Sequence, residues 1–273
     1  MYQIVASDLD GTLLNPDHRL SDFTKQVLQA LRARKIHFIF ATGRHHIDVA
    51  QMCEGMKIDA FMITSNGARV HNSQGELILS KSLPQNIALA LAQVAMDNRH
   101  IYTHIYTHIY RGDDWLINKE DSYSLSFFEE STFTYQLFNP NDFPTDNIAK
   151  MYFTITDGQF HSQLAALKEQ LENRFADKIN VVFSTMNCLE VMAGGVSKGA
   201  AFQYVADLLG YGLEETIAFG DGMNDYEILS IVGKGCIMRN APDMLKNRLP
   251  ELEIIGSNAD DAVSHYLQDL FLK

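Results

Sequence analysis

With 273 residues, 46% apolar and 21% charged, the chain has the composition of an ordinary globular protein and the length for one large or two medium cores. A formal net charge of −12 argues against non-specific nucleic-acid binding, which needs basic patches to displace counterions, and against an anionic membrane surface as partner. Three scattered cysteines (Cys53, Cys188, Cys236) with no CxxC pair read as reduced thiols, "MYQIVASD" lacks the basic start of a signal peptide, and no apolar run is long enough to span a bilayer. The expectation is a cytoplasmic protein.

Residues 3–7 read as a short buried strand that ends on Asp8 and Asp10 and turns at Gly11. Ser21 is placed to cap a helix carrying Phe23, Val27, Leu28 and Leu31 on one face. A second buried strand, "IHFIFATGR" (36–44), a helix through residue 56 and a third strand, "AFMITSNGA" (60–68), follow. This βαβαβ rhythm predicts an α/β fold, a doubly wound parallel sheet with helices on both faces. The pattern changes near Leu83-Pro84. A helix with Ile87, Leu91, Val94 and Ala95 leads into "HIYTHIYTHIY", "WLIN", "FTYQLF" and "KMYFTIT", β-branched and aromatic stretches that read as strands. A helix near 160–175 and the strands "INVVFS" and "CLEVMA" continue this α+β pattern. The first rhythm then resumes: a helix capped by Ser197 and stopped by Gly210, and the strands "TIAFGDG", "KGCIM" and "LEIIG". The expected organisation is a discontinuous Rossmann-like core, 1–83 and 188–273, with an α+β cap, 84–187, inserted into it. Hinges are expected near Pro84 and over 186–194, beside Gly194-Gly195.

Within 101–110 the tetrad Ile-Tyr-Thr-His repeats. A helix would set His104 and His108 one turn apart as metal ligands. The Thr, Ile and Tyr content favours a strand instead, with Tyr102, His104, Tyr106, His108 and Tyr110 on one face, and no metal is assigned there.

Two aspartates one residue apart at the end of an apolar run repel each other. At about 4 Å the penalty is on the order of 4 kcal/mol for an effective dielectric near 20, so a cation is expected between or beside them. Four polar motifs fall at or beside the carboxyl edge of the expected sheet, where open α/β sheets bind ligands: "DLDGT", "ATGR", "SKG" and "GDGMND". Singly, each is ordinary turn or cap chemistry. Their joint order, three of them at strand ends, has no structural explanation.

With Asp8 and Asp10 in "DLDGTLL", Thr42 in "ATGR", Lys198 in "SKG", and Asp221 and Asp225 in "GDGMND", the whole chain resembles the haloacid-dehalogenase-like phosphohydrolases. "ITSNGA" and "GVSKG" are similar to the Cof-type group, whose subclass IIB α+β cap is inserted between the second and third motifs. General likeness within that group points to bacterial pyridoxal-phosphate phosphatases. The resemblance implies a Mg²⁺-dependent phosphatase of small phosphorylated metabolites, pyridoxal phosphate or sugar phosphates, working through an aspartyl-phosphate. Asp8 would then attack phosphorus, with Mg²⁺ held by the Asp8 carboxylate, the Asp10 carbonyl and Asp221. Asp10 would protonate the leaving oxygen and later deprotonate the attacking water. The N–H groups of Leu9 and Gly43, the Thr42 hydroxyl, the Lys198 ammonium and Asn224 would bind the phosphate. Asp225 would hold Lys198 or a metal-bound water, and Arg44 would either reach the substrate or sit in a structural ion pair.

Two other functions bear on the same motifs. A phosphomutase or phosphotransferase on sugar phosphates can share this core, differing in whether water or a hydroxyl accepts the phosphoryl group. A non-catalytic sensor of a phosphorylated metabolite could dispense with Asp8 or Asp10, and both are present. Tyr102, Tyr106, Tyr110 and Trp115 either stack on a flat substrate ring or pack the cap against its own helices.

Overall fold

The computed structural model describes residues 2–97, 104–125, 131–139 and 141–273, so Tyr102 lies outside the described residues. The strands, in chain order, begin with β1 (Ile4–Ser7), β2 (His37–Ala41), β3 (Phe61–Thr64), β4 (Arg69–His71) and β5 (Leu77–Ser80). Next come β6 (Tyr106–Arg111), β7 (Asp114–Ile117), β8 (Tyr135–Leu137), β9 (Ile148–Thr154), β10 (Ile179–Thr185) and β11 (Cys188–Ala193). The last three are β12 (Thr216–Gly220), β13 (Lys234–Ile237) and β14 (Glu253–Ile254). They form an eight-stranded sheet, β14-β13-β12-β1-β2-β3-β4-β5, and a six-stranded sheet, β10-β11-β9-β6-β7-β8.

In the larger sheet β1 pairs in parallel with β2 on one side and β12 on the other. The strand order reverses there, which opens a crevice beyond the carboxyl end of β1. Alternation along β1 builds both faces. Val5 packs with Leu28, Leu31, Phe40, Phe219 and Leu267, while Ile4 and Ala6 pack with Ile39, Phe202, Val205 and Ile228. Both expected caps form. Ser21 Oγ accepts the Thr24 N–H at 3.0 Å at the start of the helix Asp22–Ala33. Ser197 caps the helix Lys198–Leu209, which ends on Gly210 at φ +79°.

The sheet is not parallel throughout. β4 and β5 add an antiparallel hairpin at one edge. Its turn is local chemistry: Asn72 Oδ1 accepts the N–H groups of Gln74 (3.0 Å) and Glu76 (2.9 Å), and Gly75 supplies φ +80°.

The six-stranded sheet also has two distinct faces. Ile109, Met151, Phe153, Leu189 and Val191 pack against Leu91, Leu164 and Leu167 of the helices Gln85–Asp97 and His161–Phe175. The opposite face carries Tyr110, Trp115, Tyr152 and Met192, packed with Ala68 and Val196 of the larger sheet's connections. Period-two alternation therefore turns Lys150, Tyr152 and Glu190 toward the eight-stranded sheet. β11 lies between β10 and β9, so the chain leaves the smaller sheet after Ala193 and not at 188, where the strand rhythm placed the crossing.

In the described part of the repeat, 104–110, the strand begins at Tyr106; His104 precedes it and stacks on Phe160 at 3.7 Å. His108 is fully buried and bonded through both ring nitrogens, Nδ1 to Trp115 Nε1 (3.1 Å) and Nε2 to Thr154 Oγ1 (2.9 Å). Trp115 stacks on Phe133, so this aromatic group packs the smaller sheet. Among the described residues no helix is long and apolar enough to cross a membrane.

Since the indole N–H of Trp115 donates to His108 Nδ1, the ring is neutral, with Nε2–H donating to Thr154. Burial, reinforced by the Lys150 charge, pulls its pKa down to about 3. The unfolded chain, with histidine near pH 6.5, binds that proton first as pH falls. Stability from this group is complete above pH 6.5 and is lost progressively down to about pH 3. His108→Gln is expected to flatten the slope of unfolding free energy against pH by up to about 1.4 kcal/mol per pH unit in that window. Urea unfolding from pH 4 to 7 measures it; an unchanged slope contradicts the assignment.

Candidate active site

The carboxyl end of β1 delivers Asp8 into the crevice. Its N–H is fixed to Phe219 O (3.0 Å) and its carbonyl accepts the Ser7 hydroxyl (2.7 Å). Gly11 turns the chain at φ +75°, and a Cβ on it would lie 2.3 Å from Asp221 Oδ2. Only glycine lets this loop reach the loop after β12. Thr12 Oγ1 donates to Asp221 Oδ1 at 2.7 Å across the same gap.

Asp8, Asp221 and Asp225 each bring a carboxylate oxygen to within 4.8 Å of the others. Against them stands the fully buried Lys198, whose Nζ lies 3.0 Å from Asp8 Oδ1 and 2.7 Å from Asp225 Oδ1. Asp225 Oδ2 accepts the N–H groups of Asp221 (3.0 Å) and Gly222 (2.9 Å), so both of its oxygens are engaged. Burial raises the Asp8 carboxyl well above its ordinary range; Lys198 opposes this, and the charges of Asp225 and Asp221 add to it. Burial and the Asp225 charge likewise push Asp221 up to about 7. Burial disfavours the charge on Lys198, but Asp225 and Asp8 outweigh it and hold the ammonium protonated. An all-oxygen donor set with more negative charge than one lysine balances suits a hard divalent cation.

The other expected site residues surround this cluster. The Asp10 carboxylate is not part of this cluster. It accepts Arg44 Nε and Nη2, both at 2.7 Å, and lies 2.8 Å from His18 Nδ1. Burial opposes its charge, but Arg44 and His18 outweigh it and hold the carboxyl well below the usual range. Arg44 also donates to Asp48 Oδ2 (2.8 Å), so of its two readings the geometry shows the ion pair. The Leu9 N–H donates to Asp8 Oδ1 (2.7 Å). Thr42 Oγ1 accepts the Arg44 N–H (3.1 Å), and Asn224 Nδ2 donates to Asn66 Oδ1 (3.1 Å). Gly43 presents its carbonyl to Lys150 Nζ at 2.6 Å.

His18, Asn66, Lys150 and Glu190 were missed from the sequence. Asn66 had a legible signal, a polar residue just past a buried strand, and it sits with Ser65 in the left-handed region (φ +55° and +50°). Lys150 and Glu190 are lone charges inside otherwise apolar strands, in "AKMYF" and "LEVMA". His18 lies in a loop and gave no signal. The site opens into a cavity of about 520 Å³, lined by the motif residues and, from the smaller sheet, by Tyr110, Lys150, Tyr152 and Glu190.

The family model described as haloacid dehalogenase-like hydrolase matches residues 5–267. The chain belongs to this family. An HMP-PP phosphatase of Escherichia fergusonii is 39% identical over 270 residues, covering 98% of this chain and 95% of that one. The crystal structure of a haloacid dehalogenase-like hydrolase from Bacteroides thetaiotaomicron superimposes with a TM-score of 0.81 at 25% identity, covering 99% and 100% of the two chains. A subclass IIB sugar phosphatase shares the fold at a TM-score of 0.82 and 20% identity, covering 99% and 100%. The chain is a phosphatase of the haloacid-dehalogenase type, a phosphoric monoester hydrolase.

Removing Lys198 leaves its carboxylates buried together. Lys198→Met is expected to destabilise the fold by about 3–5 kcal/mol at pH 8, and by clearly less at pH 5.5, where Asp221, with its pKa pushed up to about 7, takes up a proton. Urea unfolding at the two pH values decides this; an equal loss at both means carboxylate repulsion is not the cause.

Proposed function

We propose that this phosphatase hydrolyses small phosphorylated metabolites with Mg²⁺ bound at Asp8 and Asp221, and that Asp8 is the nucleophile. The observation that carries the reading is the meeting of Asp8, Asp221 and Asp225 with Lys198 at the mouth of β1, inside a cavity of about 520 Å³. That volume suits a small metabolite. Asp225, with both oxygens engaged, orients Lys198 and the loop after β12. When bound, the cation neutralises the charge that accumulates as a carboxylate approaches a phosphate dianion.

The protein's own groups then divide the work. Asp8 Oδ attacks phosphorus, the bond to the ester oxygen breaks, and an aspartyl-phosphate forms. Lys198 holds a protonated ammonium beside Asp8, where the equatorial phosphate oxygens gather charge. In the second half, water attacks phosphorus, the bond to Asp8 Oδ breaks and inorganic phosphate leaves, while the Asp10 carboxylate takes the water's proton. Arg44 and His18 keep it ionised but lower its basicity, so they have to loosen for this step. For the first half Asp10 has to carry a proton to the leaving oxygen, which requires its Arg44 contact to loosen as substrate enters. Thr42 and the Gly43 N–H flank the phosphate position from the loop after β2.

Pyridoxal phosphate and sugar phosphates remain the substrate classes to compare. Tyr110 and Tyr152 line the cavity and offer ring surface; the relative named HMP-PP phosphatase supports a phosphorylated small molecule. Trp115, buried against Phe133, is no part of that lining.

Asp8→Asn is expected to abolish phosphate release from p-nitrophenyl phosphate while leaving the melting temperature within a few degrees of wild type or above it. Retained turnover removes Asp8 as nucleophile. Chelator is expected to silence the wild type and Mg²⁺ to restore it. Mg²⁺ is also expected to raise the melting temperature of the wild type but not of Asp221→Asn. Equal shifts in both place the ion elsewhere.

A further inference from the structure

The smaller sheet contributes two charges to the cavity wall that none of the sequence motifs includes. Lys150 on β9 and Glu190 on β11 are buried, 2% and 3% exposed, and paired with each other. The rings of Tyr110 and Tyr152 lie 4.9 and 4.7 Å from Lys150 Nζ and fix its direction. From this position the pair reaches across to the larger sheet. Lys150 Nζ donates to the carbonyl of Gly43 at 2.6 Å, in the loop after β2. Glu190 Oε2 accepts Asn66 Nδ2 at 2.7 Å, in the loop after β3. Asn66 Oδ1 in turn accepts Asn224 Nδ2, in the loop after β12. The approach is close: a Cβ on Gly43 would lie 3.2 Å from Glu190 Oε1 and from Asn66 Oδ1, and 3.4 Å from Lys150 Nζ.

We propose that Lys150 and Glu190 are positioning residues that tie the seated cap to the three loops flanking the phosphate position. The proposal rests on the phosphatase reading for its effect on rate, though not for the contacts themselves. Lys150 and Glu190 stand on neighbouring strands of the smaller sheet, so their ion pair travels with that sheet. What forms when the cap is seated are the bonds of Lys150 to the Gly43 carbonyl and of Glu190 to Asn66 Nδ2. Seating fixes the Gly43 peptide and the Asn66–Asn224 amides at once. The site is then complete only beneath a closed cap, which couples substrate enclosure to the placing of the phosphate donors. The pair acts through these loops and not on the phosphoryl group.

The test compares the wild type with Lys150→Met, Glu190→Gln and the double variant Lys150→Met/Glu190→Gln. The double variant removes both charges, so a folding defect from one orphaned charge cannot imitate the result. Turnover is read on p-nitrophenyl phosphate and on a hexose phosphate. Hydrogen exchange is followed in peptides covering 42–44 and 65–67, with the helix Asp22–Ala33 as the internal reference. The expected result is a fall in kcat of about 30-fold, the same on both substrates, with KM within about threefold. The double variant should be no slower than the slower single one, because the residues act as a unit. Exchange should rise in the two loop peptides and stay unchanged in the reference helix. A KM increase that differs between the substrates overturns the proposal in favour of direct substrate contact, and unchanged loop exchange overturns it outright. If the wild type releases no phosphate from any monoester yet the loop exchange rises as expected, the phosphatase reading fails and the positioning role stands.

Discussion

The excess of negative charge at the end of β1 governs the rest of this structure. Asp8, Asp221 and Asp225 meet within 4.8 Å in a buried crevice, and among the described residues Lys198 is the one cation paired directly with them. Such a group is unstable in isolation. Protons, a cation or an incoming phosphate–metal unit must balance it, and the raised pKa values of Asp8 and Asp221 reflect burial first and the neighbouring carboxylates second. A fold that keeps the carboxylates together could hold a divalent cation there, and its charge balance would change on arrival of a phosphate dianion.

The surroundings of Asp10 show the opposite solution. One residue beyond Leu9, its carboxyl faces Arg44 and His18 and is held ionised. Two aspartates of identical chemistry and almost identical sequence position thus lie on opposite sides of the ordinary carboxyl pKa. The difference arises from the turn at Gly11 and from which neighbours each side chain meets. Neither shift by itself suits the proposed roles: Asp8 would need a bound cation to return it to its ionised form, and Asp10 would need its Arg44 contact to loosen before it could carry a proton.

The smaller sheet does more than cover the crevice. Its inner face alternates aromatic and charged residues, and the charged ones bind backbone and amide groups of the larger sheet's loops. Enclosure and alignment are then one event. Ala68, just before β4, and Val196, where the chain has returned after Ala193, pack against this face.

Much of this was legible in the order of residues. The short apolar runs of β1, β2 and β12, the Ser21 and Ser197 caps and the Gly210 stop are local effects, and each appears where the sequence places it. The motifs at strand ends were readable because topology sends every such end to one edge. The β4–β5 hairpin was missed although its Asn72–Gly75 turn is local chemistry, since a three-residue strand carries too little pattern. Lys150 and Gly43, 107 positions apart, and Arg44 and Asp10, 34 apart, meet only because two sheets and two loops converge. A charge in an apolar strand announces that a partner exists but not which one. The chain alone determined which chemistry could be assembled; packing decided which carboxyl is neutralised, by whom, and when, because electrostatic partnership depends on distance in space and not along the backbone.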